Sequence, residues 1–187
     1  HGGWETPHFS QLVVRIVEEM ATRRQLIENG DADATFQNLA PEDYEALRQN
    51  PDVQVISHPS TAVYWTTINA VKTGSPEARQ GLCWAFPYEE VVNGVYKGHV
   101  TRTGPIATTV RGYDPNVFLY TTDLDKAKEL LLGAGFEEGF TFDYAINAGE
   151  AIERSVAELY QANLATIGYD LEIQELDRAT FVDLAYG

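Results

Sequence analysis

Apolar positions along this chain follow two different periods, and the changes between them mark out the elements. The run Leu12 to Val17 (L-V-V-R-I-V) is nearly continuous, the pattern of a strand buried on both faces. Thr22 then reads as the cap of a helix that turns Leu26 and Ile27 inward and stops at Asn29-Gly30. Asp31 to Phe36 returns as a second short strand, so the spacing predicts a βαβ unit with parallel pairing. Pro41, Glu42 and Asp43 open a short helix with Tyr44 and Leu47 on its apolar stripe, ended by Asn50-Pro51. Val53 to Ser57 alternates as a strand. Beyond it, Ile56 to Asn69 carries the strongest β signal in the chain, rich in β-branched and aromatic residues, with Pro59 near its start.

The second part is more helical. Ser75-Pro76-Glu77 combines a cap, a first-turn proline and a first-turn carboxylate, with Ala78, Leu82, Ala85 and Phe86 on one face. Pro87 breaks or restarts that helix, and Tyr88 to Asn93 continues it to Gly94. From Val95 to Tyr120 no period is sustained, which predicts a long wrapped loop. Asp123 caps a helix carrying Leu124, Ala127, Leu130 and Leu131, with Gly135 past its end. Phe140 to Ile146 reads as a strand. Glu150 to Ile167 has the clearest helical stripe: Ile152, Val156, Leu159, Tyr160, Leu164 and Ile167, with Gly168 as the stop. Tyr169, Leu171 and Ile173 alternate with polar residues as a half-buried strand, completing a second βαβ unit. Asp177 caps a last helix with Phe181 and Leu184. That helix has an apolar face and nothing after it, so the chain reads as a piece of something longer.

Charge narrows the partners. Thirteen basic against 28 acidic residues leave a net charge of −15, spread along the chain. Such a surface repels phosphate backbones and anionic lipid, so nucleic acid is not an expected partner. The single cysteine, Cys83, excludes an internal disulfide and sits among apolar neighbours as an inert thiol. No apolar run reaches the roughly 20 residues of a membrane span. The chain carries no basic start followed by an apolar core, and His1-Gly2-Gly3-Trp4 does not read as a native start.

No catalytic constellation stands out in the sequence. There is no G-x-S-x-G elbow, no S-x-x-K and no phosphate-cradling glycine loop. His1, His8, His58 and His99 lack metal-ligand spacing, so no metal or cofactor is expected. The acidic pairs Glu18-Glu19, Glu89-Glu90 and Glu137-Glu138 adjoin element ends and read as solvated charges.

The ordered set of motifs is similar to that of the family 5 extracellular solute-binding proteins, which serve dipeptide, oligopeptide and nickel ABC importers. The matching runs are L-V-V-R-I-V-E-E, T-R-R-Q-L-I-E-N-G-D-A-D, L-A-P-E-D-Y-E-A-L-R-Q-N-P-D-V-Q-V and Y-W-T-T-I-N-A. They continue with S-P-E-A-R-Q-G-L-C-W-A-F-P-Y-E-E-V-V, D-K-A-K-E-L-L-L-G-A-G-F and L-Y-Q-A-N-L-A-T-I-G-Y-D-L-E-I-Q. One departure is Pro87-Tyr88-Glu89, where many members carry an Asp-Arg pair.

The resemblance implies an α/β, periplasmic-binding-protein-like (type II) fold of two lobes, with only part of each lobe present. Residues 1–60 would be the middle segment of the first lobe, and residues 61–187 the hinge strand plus the first half of the second. It implies a monomeric, non-enzymatic receptor, periplasmic or extracellular, lipid-anchored or secreted, that captures a small solute, a peptide first, and delivers it to a membrane permease. Carried over by motif, the implied ligand contacts are Phe36 and Gln37 after the D-A-D segment, Ser60, Ala62 and Trp65 on the hinge strand, and Asn147 through Ile152 entering the long helix. Phe36 and Trp65 can cover apolar surface, and Gln37 can hydrogen-bond through its amide. Tyr64 stands beside Trp65 as part of the same candidate aromatic wall. Each has a bland alternative: Phe36 a core ring, Trp65 inter-lobe packing, Gln37 a turn residue. An enzyme, a hydrolase or transferase completed by segments outside these 187 residues, is the alternative reading, and a sensor domain on the same scaffold is a third.

Overall fold

The structure, a computed structural model, describes residues 9–17, 19–35 and 39–186. The chain divides into two compact units, His1–Ile56 and Ser57–Gly187.

The first unit holds two helices, α1 (Met20–Glu28) and α2 (Pro41–Arg48). Glu19, not Thr22, precedes α1, and no side chain caps it. Thr22 lies inside the first turn. α2 begins at Pro41 as its sequence predicts, with Glu42 and Asp43 in the first turn, and it buries Leu47. Arg24 ties the two helices through Asp43 at 2.8 Å while also holding Glu28 at 2.8 Å. No strand forms among the described residues of this unit. The segment 12–17, expected as a doubly buried strand, carries exposed Leu12, Val13, Val14 and Ile16. Residues 31–35 and 53–56 likewise take no strand partner among the described residues, and Phe36 lies outside them. A strand exists only where another backbone answers its N–H and C=O groups, and apolar content cannot supply that.

The second unit is built on a βαβ core. β1 (Thr141–Asn147) and β2 (Asp170–Leu176) pair in parallel, with Thr141 opposite Asp170 and Asn147 opposite Leu176. α6 (Ala151–Thr166) joins them, as the sequence predicts for the second βαβ unit. Before them come α3 (Ala70–Thr73), α4 (Pro76–Ala85), a short π-helix (Glu90–Val95) and α5 (Leu124–Gly133); α7 (Arg178–Tyr186) follows. The stretch Ile56 to Asn69 takes no strand partner among the described residues either, so the strongest β signal in the sequence is not a strand here. α3 went unread in the sequence. Asn69 caps it, accepting from the N–H groups of Val71 and Lys72. The expected caps Ser75, Asp123 and Asp177 are each in place, accepting from Ala78, Lys126 and Thr180.

Leu82, Ala85, Ala127, Leu131, Phe142, Tyr160, Leu164, Ile167, Tyr169 and Leu171 form one core where α4, α5, α6 and the sheet meet. α4 and α5 approach closely at Gly81, where an added Cβ would stand 2.9 Å from Leu131 Cγ. Pro87 ends α4 at Ala85 and strands its last carbonyls inside the protein. Side chains from distant segments answer them: Tyr160 hydroxyl to Leu82 O at 2.9 Å, Asn163 Nδ2 to Ala85 O at 2.9 Å, and Thr122 hydroxyl to Phe86 O at 2.7 Å. The Asp123 N–H reaches Trp84 O at 2.9 Å. Instead of the continued α-helix expected over Tyr88 to Asn93, the chain widens into the π-helix, where Tyr96 N–H bonds Val91 O.

Candidate functional site

In open α/β sheets, ligand sites gather outside the carboxyl ends of the strands, because the loops there leave the sheet together. In the second unit this end carries Asn147 at the close of β1, the loop 148–150, the first turn of α6 and the start of α7. Asn147 is 8% exposed. Its backbone N–H donates to Glu153 Oε2 at 2.8 Å, and its Nδ2 donates to both carboxylate oxygens at 3.0 and 3.1 Å. Arg178 Nη1 donates to Asn147 Oδ1 at 3.2 Å. The amide is thus engaged at both ends.

Three tyrosines border this end. Tyr64 and Tyr96 meet with ring centroids 6.0 Å apart, and the Tyr144 hydroxyl shares a 2.9 Å hydrogen bond with Thr66 Oγ1. Burial pushes the Tyr96 phenol up to about 12, reinforced by Tyr64, Glu153 and Tyr144 nearby, so it stays protonated at neutral pH. Burial also raises Tyr144, partly offset by its hydrogen bond with Thr66. The result is an aromatic face with neutral hydroxyls. It can cover apolar surface and hydrogen-bond at once.

The residues implied by the motif resemblance are placed unevenly. Phe36 and Gln37 lie outside the described residues. Ser60 and Ala62 share one tight turn, the Ala62 N–H donating to Ser60 Oγ at 2.9 Å, while Ser60 O accepts the Thr109 hydroxyl at 3.0 Å. Trp65 is 66% exposed, in the same stretch as Tyr64 and Thr66. Ile152 is half-buried in the first turn of α6. The sequence reading did not single out Thr66, Tyr96, Tyr144, Glu153 or Arg178. Only Tyr144 left a signal, as the middle member of the inward series Phe142, Tyr144, Ile146; Thr66, Tyr96 and Arg178 are joined by tertiary contacts at long separation, and Glu153 reaches Asn147 across six residues.

The chemistry on display suits recognition. Cys83 is half-buried and burial pushes its thiol up, away from a reactive thiolate. Among the described residues no three His, Cys, Asp or Glu side chains group closely enough to hold a metal ion, and no helix is long and apolar enough to cross a membrane.

Comparison with known proteins gives this arrangement a context. The family model for bacterial extracellular solute-binding proteins, family 5 Middle, matches residues 2–186. The probable D,D-dipeptide-binding periplasmic protein DdpA of Escherichia coli (strain K12) is 30% identical over 181 residues, covering 95% of this chain and 34% of that protein. Heme-binding protein A of Haemophilus influenzae is 30% identical over 166 residues, covering 84% of this chain and 30% of its own length. Among solved structures, the ABC transporter-associated periplasmic binding protein DppA from Helicobacter pylori, in complex with peptide STSA, superposes with a TM-score of 0.80 at 25% identity, over 90% of this chain and 33% of that one. NikA from Brucella suis, in complex with Fe(III)-EDTA, gives 0.73 at 20% identity, over 95% and 39%. The fold is therefore that of periplasmic binding proteins, and the chain spans about a third of the length of the relatives it matches. With its sequence matched from residue 2 to residue 186, the chain belongs to the family 5 bacterial extracellular solute-binding proteins.

Proposed function

We propose that this chain serves the solute-binding component of an ABC importer, capturing a small solute outside the cytoplasm and handing it to a membrane permease. The observation that carries the reading is the family match over residues 2–186, supported by the fold shared with peptide- and metal-chelate-bound receptors. A peptide is the first solute class to test, because DdpA, the dipeptide-binding protein of Escherichia coli and the glutathione-binding protein GsiB of Pectobacterium atrosepticum are all similar over more than nine-tenths of this chain. The protein acts as a monomer and performs no chemistry on its cargo. Trp65, exposed beside Tyr64 and Thr66, is proposed as a covering ring for the solute. Ser60, Ala62 and Ile152 are proposed as further solute contacts, and Phe36 and Gln37 as contacts on the motif match alone. Asn147, whose amide is already engaged, contributes by shaping the loop it begins.

The test is calorimetric titration of the full-length receptor with L-alanyl-L-alanine, D-alanyl-D-alanine, glutathione, haem and a nickel–histidine chelate. Saturable binding of one of them supports the reading, and no heat or thermal stabilisation with any of them counts against it. In the receptor that binds, Trp65→Ala weakens affinity by about tenfold with an unchanged melting temperature, as expected for an exposed anchor ring; unchanged affinity makes Trp65 a structural residue.

A further inference from the structure

The loop that enters α6 is held from both sides. Glu153 folds its carboxylate back over the end of β1 and accepts both the backbone N–H and the side-chain amide of Asn147. Arg178, the first residue of α7, donates to the amide oxygen of the same residue. Backbone bonds close the frame: Ala148 N–H to Leu176 O at 2.8 Å, and Glu150 N–H to Asn147 O at 3.3 Å. Between these ties residues 148–150 are exposed, and Gly149 turns the chain at φ +83° with open space around it. The same carboxylate lies near Tyr96, whose ring meets that of Tyr64 at a tilt of 39°.

We infer that Glu153 and Arg178 are positioning residues for solute capture: through Asn147 they hold the exposed 148–150 loop in one conformation at the carboxyl end of the strands. The inference rests on the receptor reading above. Its physical content is pre-organisation. A loop ordered before the solute arrives loses less conformational freedom on binding, and charge-assisted hydrogen bonds to a buried amide are strong enough to order it. Neither side chain needs to touch the solute.

The test uses the full-length receptor titrated with L-alanyl-L-alanine, D-alanyl-D-alanine, glutathione, haem and a nickel–histidine chelate. For the probe that wild type binds, Glu153→Gln weakens affinity by about tenfold, the scale of losing a charged hydrogen bond, and Arg178→Met by about threefold. The double variant loses less than the product of the two, because both act through Asn147. Hydrogen exchange at residues 148–151 is faster in ligand-free E153Q and returns to the wild-type rate at saturation, a response that general destabilisation does not produce. Leu159→Ala, on the same helix and away from these ties, serves as the stability control and keeps wild-type affinity. Wild-type affinity in E153Q, or an equal loss in L159A, overturns the positioning role while leaving the receptor reading intact. Failure of wild type to bind any of the five probes overturns both.

Discussion

Residues 12–17 (L-V-V-R-I-V) and residues 141–147 (T-F-D-Y-A-I-N) both carry a strand pattern in the sequence, yet only the second is a strand. The difference lies in what surrounds them. β1 has β2 beside it in seven-residue register, Phe142 enters a core closed by α4, α5 and α6, and Ile146 is buried. Leu12 to Ile16 have no such partner among the described residues and present their apolar side chains outward. A strand sequence is a capacity for pairing, and burial follows only once the pairing is met.

The contrast can be broken most forcefully in the core. Leu164→Ala, at a side chain with no exposure, removes about 2–5 kcal/mol from the chain's unfolding free energy in urea, whereas Leu12→Ala changes it by less than about 0.5 kcal/mol. Equal effects would mean that residues 12–17 are buried after all.

A smaller effect separates the two units by their tyrosine hydroxyls. Tyr160 answers a carbonyl of α4 in the buried interior, and Tyr44 accepts the Leu39 N–H in the first unit at 3.0 Å. Tyr160→Phe costs about 1–2 kcal/mol, because the Leu82 carbonyl loses a buried partner. Gly81→Ala is similar in sign and costs about 1–3 kcal/mol, since the added methyl meets Leu131; the usual helical advantage of alanine is outweighed there. A neutral or stabilising result at Gly81 would show that α5 can yield.

The smallest expected effect is alkaline. The Tyr96 phenol ionises near 10 when unfolded and near 12 when folded, so the folded state binds the extra proton between those values. Stability from this group is complete below about pH 10 and is lost as pH rises toward 12. Near-ultraviolet tyrosinate absorbance should show several late-titrating tyrosines, since burial also raises Tyr88, Tyr144 and Tyr160, and Tyr96→Phe lowers that late amplitude by one tyrosine.

Much of this was legible from one-dimensional pattern. The caps at Ser75, Asp123 and Asp177, the stop at Pro87, and the stripe from Ile152 to Ile167 all rest on local chemistry: a side-chain oxygen near free N–H groups, a missing donor, a period of 3.6 residues. The ordered motifs carried the family. Less visible was the site. Trp65 and Asn147 could be singled out by motif, but the bonds from Asn147 to Glu153 and Arg178, and from Thr66 to Tyr144, span loops and helices whose paths are set by packing.

The sequence by itself determined the caps of α4, α5 and α7, the stop of α4, the apolar stripe of α6, the βαβ order of the second unit, and its kinship, because each depends on neighbours within a few residues or on motif order. Only the tertiary structure decided which apolar runs are strands, that Tyr160 and Asn163 answer carbonyls of α4 while Thr122 answers Phe86, and that Arg178 reaches Asn147. Those outcomes need two distant backbones or side chains in register, and no period along a single chain encodes the second partner.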